Sequence, residues 1–173
     1  MNENITISEA KASMRPLLRK GVVCPCCDRH TQMYARQITS SMGYGLVILN
    51  SYDYSFNNSE AMKRLCLNSD WIHVESFFKQ IPNIPSSIRS DIPKLRFWGL
   101  IEPRMNEKGD CNPNSGYYRI TQQGKDFVNG KVKVMSHVLI YNNKMYGFPP
   151  EAKEISIEQA IKNKFDYKSF IKG

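Results

Sequence analysis

Apolar positions along the first half of the chain keep helical spacing, and those near the end alternate. In residues 5–21, Thr6 and Glu9 stand at capping-box spacing, and Ala10, Met14, Leu17 and Leu18 fall on one helix face. Pro16 should kink that helix and Gly21 should stop it. Tyr34, Ile38, Met42, Leu46 and Leu49 then continue a stripe that predicts a second helix through residues 33–50, with Gly43 and Gly45 as its weak points. A polar loop over residues 50–59 and a short helix over 59–67 complete this half.

A third helix is predicted from Asp70 as cap to Pro82 as stop, with Val74, Phe77, Phe78 and Ile81 on one face. After a turn, Ile88, Ile92, Leu95 and Trp98 keep spacing near 3.6, and Gly99 suits the end of that helix. "LIEPRM" and "YYRI" read as two strands around a polar loop, and Thr121 caps a short helix behind them. Further strands are predicted over residues 131–148, with Asn142-Asn143 as a hairpin turn. Ser156 and Gln159 box the start of a last helix, and "KFDYKSFIKG" closes the chain.

With 173 residues, 41% of them apolar, the chain is long enough for one respectable core. No apolar run approaches the length of a membrane span, and "MNENITISEAKASMRPLLRK" lacks the apolar core of a signal peptide. Five cysteines without an export signal read as reduced thiols or metal ligands, which predicts a cytoplasmic protein without a membrane partner. A net charge of +8 favours an anionic partner, nucleic acid first.

The order helix, turn, helix ending in "GLIE", strand, polar loop, strand and "T-x-x-G" helix resembles a winged helix of the MarR-like kind. Leu95, Gly99, Leu100, Ile101, Glu102, Tyr118, Ile120, Thr121 and Gly124 carry that resemblance, which covers residues 69–130. It implies a helix that enters the major groove and a wing that reaches phosphates. On that basis Ser86, Ser87, Arg89, Lys94 and Arg96 would face DNA, with Arg104, Lys108 and Arg119 flanking the wing. Pro93 interrupts this helix, so its regular part is expected to start near Asp91 and be short. Glu107 and Asp110 offset Lys108 in the wing loop.

The "GVVCPCCDRH" stretch concentrates three of the five cysteines ahead of the second predicted helix. Cys24 and Cys27 form a C-x-x-C pair and His30 follows three residues on, a spacing from which zinc could draw two or three ligands. Cys111, Cys66, Asp28 or His137 would supply the fourth. "VVCPCC" also resembles the Cys-Pro-x-Cys site of glutaredoxins, which implies a thiolate at a helix N-terminus. A helical segment precedes Gly21, however, and no βαβ pattern surrounds the motif. Buried thiols in a turn are the third possibility for these cysteines.

Lys11, Arg15, Arg19, Lys20, Arg29 and Arg36 cluster around this stretch, with Asp28 as the one acid after Glu9 and with Tyr34 and His30 among them. Such a cluster suits phosphate and stacking contacts. There is no glycine-rich phosphate loop, H-E-x-x-H or G-x-S-x-G, and His30, His73 and His137 are far apart in the chain, so an enzyme is not expected. His73, beside Trp71 and Val74, reads as a packed or capping histidine. "CPCC…MYARQI", "LRFWGLIEP", "GYYRITQQGKDFV" and "KFDYKSFI" together resemble an uncharacterised small protein of bacteriophages and mobile elements, which implies a phage context.

The expected fold is therefore α+β: an N-terminal helical, cysteine-bearing segment (residues 1–68), a winged-helix core (69–130), and a C-terminal β-hairpin plus helix (131–173). The expected function is regulatory, non-catalytic binding of DNA or RNA through Arg15, Arg19, Lys20, Arg29 and Arg36, with Arg89, Lys94, Arg96, Arg104 and Arg119 at the second contact face. The alternatives are a phage-encoded inhibitor that docks on a host protein complex, and a zinc- or thiol-dependent activity at Cys24, Cys27, His30 and Cys111.

Overall fold

A computed structural model describes residues 5–51, 66–67, 71–105 and 116–162. The chain is α+β and divides into two compact units, residues 1–37 with 137–152 and residues 38–136 with 153–173. The division falls at 37/38, 136/137 and 152/153. In chain order come α1 (Ile7–Met14), a 3-10 turn (Arg15–Leu17), β1 (Val22–Val23), β2 (His30–Thr31), β3 (Tyr34–Gln37) and α2 (Ser40–Ser51). Next are β4 (Cys66–Leu67), β5 (Trp71–His73), α3 (Val74–Lys79), α4 (Ser86–Asp91), a 3-10 helix (Ile92–Trp98), β6 (Ile101–Pro103), β7 (Tyr117–Ile120) and α5 (Gln122–Val128). The described part closes with β8 (Val134–Met135), β9 (His137–Tyr141), β10 (Lys144–Gly147), β11 (Glu154–Ile155) and α6 (Ile157–Ile161).

In the first unit α1 opens on the expected capping box. The Glu9 amide donates to Thr6 Oγ1 at 3.3 Å and the Thr6 amide to Glu9 Oε2 at 2.9 Å, so two donors at the helix start are satisfied by side chains. Pro16 lies in the 3-10 turn that follows, and Ala10, Met14 and Leu18 are buried. Leu17, expected on the same face, is 46% exposed. Antiparallel strands in the order β10-β9-β3 form the sheet of this unit, with Tyr34 opposite Ile140 and Arg36 opposite Val138. Asn142 and Asn143 both have positive φ (45° and 59°), the conformation of the tight hairpin turn that their sequence predicts.

The second predicted helix is corrected here. Tyr34–Gln37 is a strand, and the helix begins only at Ser40. Tyr34 and Ile38 fit a helical stripe by spacing alone, but the amides and carbonyls of residues 34–37 pair with His137–Ile140, about a hundred residues away, and that pairing decides their conformation. Within α2, Gly43 and Gly45 are buried contact points. A Cβ at Gly43 would stand 3.0 Å from Ile161 Cγ1, and one at Gly45 2.9 Å from Ile88 Cγ2, so both are places where other helices come close.

In the second unit the antiparallel sheet runs β4-β5-β7-β6. Trp71–His73 is its strand β5, not a helix turn as expected; α3 starts at Val74, and His73 caps it by accepting from the Ser76 amide at 3.3 Å. The cap expected at Asp70 and most of the helix expected over 59–67 lie outside the described residues, but Cys66–Leu67 is strand, paired with Trp71 and Ile72. Ile88, Ile92, Leu95 and Trp98 are all buried, as their spacing predicts. The regular helix lies before Pro93, over Ser86–Asp91, and not after it; proline has no amide to donate, and the chain tightens into 3-10 geometry from Ile92.

Gly99 then ends the segment at φ +69°, in the left-handed region that glycine enters without a Cβ clash. Thr121 fixes the next corner. Its hydroxyl donates to the Gly99 carbonyl at 2.6 Å and accepts from the Gly124 amide at 3.0 Å, starting α5. The strands β6 and β7 pair as expected, Ile101 with Ile120 and Glu102 with Arg119. Ser156 and Gln159 box α6 as expected, while "KFDYKSFIKG" lies outside the described residues.

Candidate nucleic-acid interface and cysteine turn

The three clustered cysteines occupy the tip of the β1–β2 hairpin. Val22 pairs with Thr31 and Val23 with His30, which closes the two arms. The Cys24 amide donates to the Arg29 carbonyl at 2.9 Å, and the Asp28 and Cys27 amides donate back to the Cys24 carbonyl at 2.9 and 3.4 Å. Asp28 takes the left-handed conformation, φ +56°, that turns the chain into β2. No helix follows, so the expectation of a turn in front of a helix is corrected: β2 and β3 come next. The thiols are not buried either, since Cys26 and Cys27 are exposed and Cys24 is half-exposed.

Within this turn the backbone N–H of Cys26, then the Cys27 thiol, donate toward the Cys24 sulfur and hold that thiol below its ordinary value. Cys26 moves the other way: loss of solvent contact and the charge of Cys24 push it up. His30 is exposed and its ring lies over Gly21, where a Cβ would come within 2.6 Å of Nε2. Cys111 lies outside the described residues. Among the described residues no three His, Cys, Asp or Glu side chains are placed to hold one metal ion.

The basic residues fall into two groups that the sequence does not distinguish. Arg15, Arg19, Lys20 and Arg29, all in the first unit, are exposed, and among the described residues no ion pair or hydrogen bond engages their side chains. Arg36 is half-buried; its guanidinium lies 5.6 Å from the Tyr34 ring centre, and its Nε is buried without a hydrogen-bond partner among the described residues. The same unit exposes Tyr34, Tyr146 and Phe148, each at about half of its surface (47%, 52% and 50%). Tyr146 stacks edge-on to Tyr141, ring centres 5.6 Å apart. Of these aromatic residues only Tyr34 stood out in the sequence; Tyr146 and Phe148 were legible merely as strand positions.

Three cations of the second unit expected at the DNA are engaged instead. Lys94 Nζ is 2.6 Å from Asp91 Oδ1, Arg96 donates to the Pro93 carbonyl at 3.1 Å and lies over the Phe97 ring, and Arg119 pairs with Glu102 while covering the Trp71 ring. Arg104 is half-buried, its amide bonded to the Tyr117 carbonyl at 2.9 Å. Ser86 and Ser87 are exposed on α4, and Lys108 lies outside the described residues. Arg89 borders a cavity of about 220 Å³ lined also by His73, Glu75, Pro93, Gly116 and Tyr118. Glu75, on the same rim, pairs with Lys79 at 2.7 Å and is held below the ordinary carboxylate range by Lys79 first and by the charge of Arg89 less.

Among the described residues, no helix is long and apolar enough to cross a membrane. Comparison of the chain with protein-family models, with curated proteins and with solved structures finds no match in any of the three.

Proposed function

We propose that the protein is a non-catalytic nucleic-acid-binding protein that grips single strands through its first unit. One observation carries this reading: Arg15, Arg19, Lys20 and Arg29, four exposed cations without a side-chain partner among the described residues, belong to the unit that also exposes Tyr34, Tyr146 and Phe148. Free cations neutralise phosphates, and an exposed ring offers a face to any base, so the combination suits a strand whose bases are unpaired. A cation already tied to a carboxylate, like Lys94 or Arg119, must give up that partner before it can take a phosphate.

The second unit supports a winged-helix assignment. Its order of α2, β5, α3, α4 with its 3-10 extension, β6 and β7, with β5-β7-β6 adjacent in the sheet, has the sequence of parts of a helix-turn-helix followed by a wing. In this reading α4 presents Ser86, Ser87 and Arg89 to the groove, and the unit adds orientation more than affinity, because Lys94 and Arg119 beside it are held by carboxylates.

The test is a titration against single-stranded DNA, RNA and duplex DNA of equal length at about 50 and about 200 mM salt. Single strands should bind more tightly than duplex, with affinity that falls steeply between the two salt concentrations. Absence of binding to all three at the lower salt overturns the proposal. A second reading, an inhibitor that docks on a host protein, is favoured by the exposed Ile7, Leu17, Val23 and Met145 of the same unit. That reading predicts a complex that survives high salt.

A further inference from the structure

The cavity beside Arg89, which lies wholly in the second unit, has a polar pattern that phosphate binding does not use. Its volume is about 220 Å³, below the roughly 300 Å³ at which pockets for drug-sized ligands begin, so it suits a single ring system. Val74, Pro93 and Tyr118 give it apolar walls, while His73, Glu75 and Arg89 supply its polar groups. The Ser76 amide donates to His73 Nδ1 at 3.3 Å; an amide can only donate, so the neutral ring carries its proton on Nε2. Gly116 leaves that edge uncovered. It sits at φ +71°, and a Cβ there would stand 2.6 Å from Nε2. The Val74 amide donates to the Gly116 carbonyl at 3.1 Å and so fixes the glycine against the start of α3.

The lining thus combines donors with an acceptor. Arg89 brings a planar fork of N–H groups and His73 one more, and Glu75 brings a carboxylate. Lys79 holds Glu75 Oε1 at 2.7 Å, but a carboxylate has about four lone-pair sites and the pair is exposed, so Glu75 can accept further bonds. A phosphate in this cavity would face that carboxylate; a neutral ring with one acceptor edge and one donor edge would satisfy both sides. Guanine sets two acceptors, O6 and N7, beside two donors, N1–H and the N2 amino group. We propose that the cavity takes one unpaired guanine. Arg89 and the His73 Nε2–H donate to O6 and N7, Glu75 accepts from N1–H and the amino group, and the ring lies among Val74, Pro93 and Tyr118. This inference rests on the reading that the protein holds single strands, and it gives that binding a base preference: cations and exposed rings hold any strand, and the cavity selects among bases.

The experiment compares a thymine-only strand with the same strand carrying one central guanine, adenine or cytosine, each titrated with the full-length chain. Guanine should raise affinity about tenfold, as one good bidentate pair does, and the other two bases should not. The ratio of guanine-strand to thymine-strand affinity should fall to about one in Glu75→Ala and in Arg89→Ala, with circular dichroism establishing that both remain folded. Substituting 7-deazaguanine, which lacks N7, should cut the gain with the unaltered protein, a readout that does not depend on any variant folding. Strand binding that is the same with and without guanine overturns the inference and leaves the strand-binding reading intact. If no strand binds, that reading fails by itself, and a titration with guanosine monophosphate, followed by NMR of the His73 ring, decides the cavity. Saturable binding that is lost in Glu75→Ala would then make it a site for the free nucleotide, and no binding would overturn it.

Discussion

Gly45 and Ile92 meet with no room for a methyl group between them. A Cβ on Gly45 would overlap Cδ1 of Ile92 and stand 2.9 Å from Cγ2 of Ile88. Two effects of a Gly45→Ala substitution therefore oppose each other. Helix propensity favours alanine by about 1 kcal/mol, while forcing a methyl into a filled contact costs about 1–3 kcal/mol. Ile88 and Ile92 are both essentially inaccessible to solvent and cannot swing outward, so the packing cost should win. Gly45→Ala should lower the urea midpoint by the equivalent of about 1 kcal/mol with an unchanged slope. A rise in the midpoint would mean that Ile88 and Ile92 can move away from α2 at little cost.

Asp91 links the same two helices through charge. Burial alone would raise its carboxyl, but hydrogen bonds from Lys94 and Ser41, the charge of Lys94, and a weaker bond from Thr39 together hold it below the ordinary aspartate range. A carboxylate depressed in the folded state contributes its full stability above the unfolded value, near pH 4, and loses it as pH falls through the lower folded value. Melting temperature should therefore decline from about pH 4 downward, and Asp91→Asn should flatten that part of the profile while costing about 1 kcal/mol or less at neutral pH. An identical acid limb in Asp91→Asn would assign the acid sensitivity to another carboxylate.

Trp98 ties the 3-10 helix to β8: its indole N–H donates to the Met135 carbonyl at 2.6 Å, and the ring is 7% exposed. In Trp98→Phe that carbonyl loses its donor in a site largely closed to water, and ring volume is lost as well. The expected loss is about 2 kcal/mol in chemical denaturation, more than a neutral exposed substitution and less than full truncation. A cost within about 0.5 kcal/mol would indicate that water replaces the indole at Met135.

Local signals were the readable part of this sequence. Thr6 with Glu9, Ser156 with Gln159, Thr121, Gly99 and the Asn142-Asn143 turn each act within a few residues, and each stands where its spacing predicts. What spacing misplaced depends on distant partners. Tyr34–Gln37 is held by β9, and Trp71–His73 by β4 and β7. Val22-Val23 and Thr31, β-branched residues on either side of a Pro-containing turn, did carry a hairpin signal for the cysteines. The difference between free and engaged cations was not legible at all. Arg119 meets Glu102 only through the register of β6 and β7, so a basic residue counted toward nucleic acid in the sequence is neutralised in the fold.

That difference gives the most direct division of labour between the units. Arg19→Glu with Arg29→Glu removes two unengaged cations from exposed positions, where neither side chain has a folded partner among the described residues to lose. Melting temperature should stay within a degree or two, since exposed substitutions of this kind change stability by about 0.5 kcal/mol or less. Binding to a single strand should weaken sharply, and the plot of log affinity against log salt should become shallower by about 1.4, two phosphate contacts at about 0.7 each. Lys94→Ala with Arg119→Ala should leave that slope nearly unchanged, because Asp91 and Glu102 already hold those charges. If instead the second pair flattens the slope and the first does not, the strand runs across the sheet and the 3-10 helix of the second unit, and the free cations around the cysteine turn serve another partner.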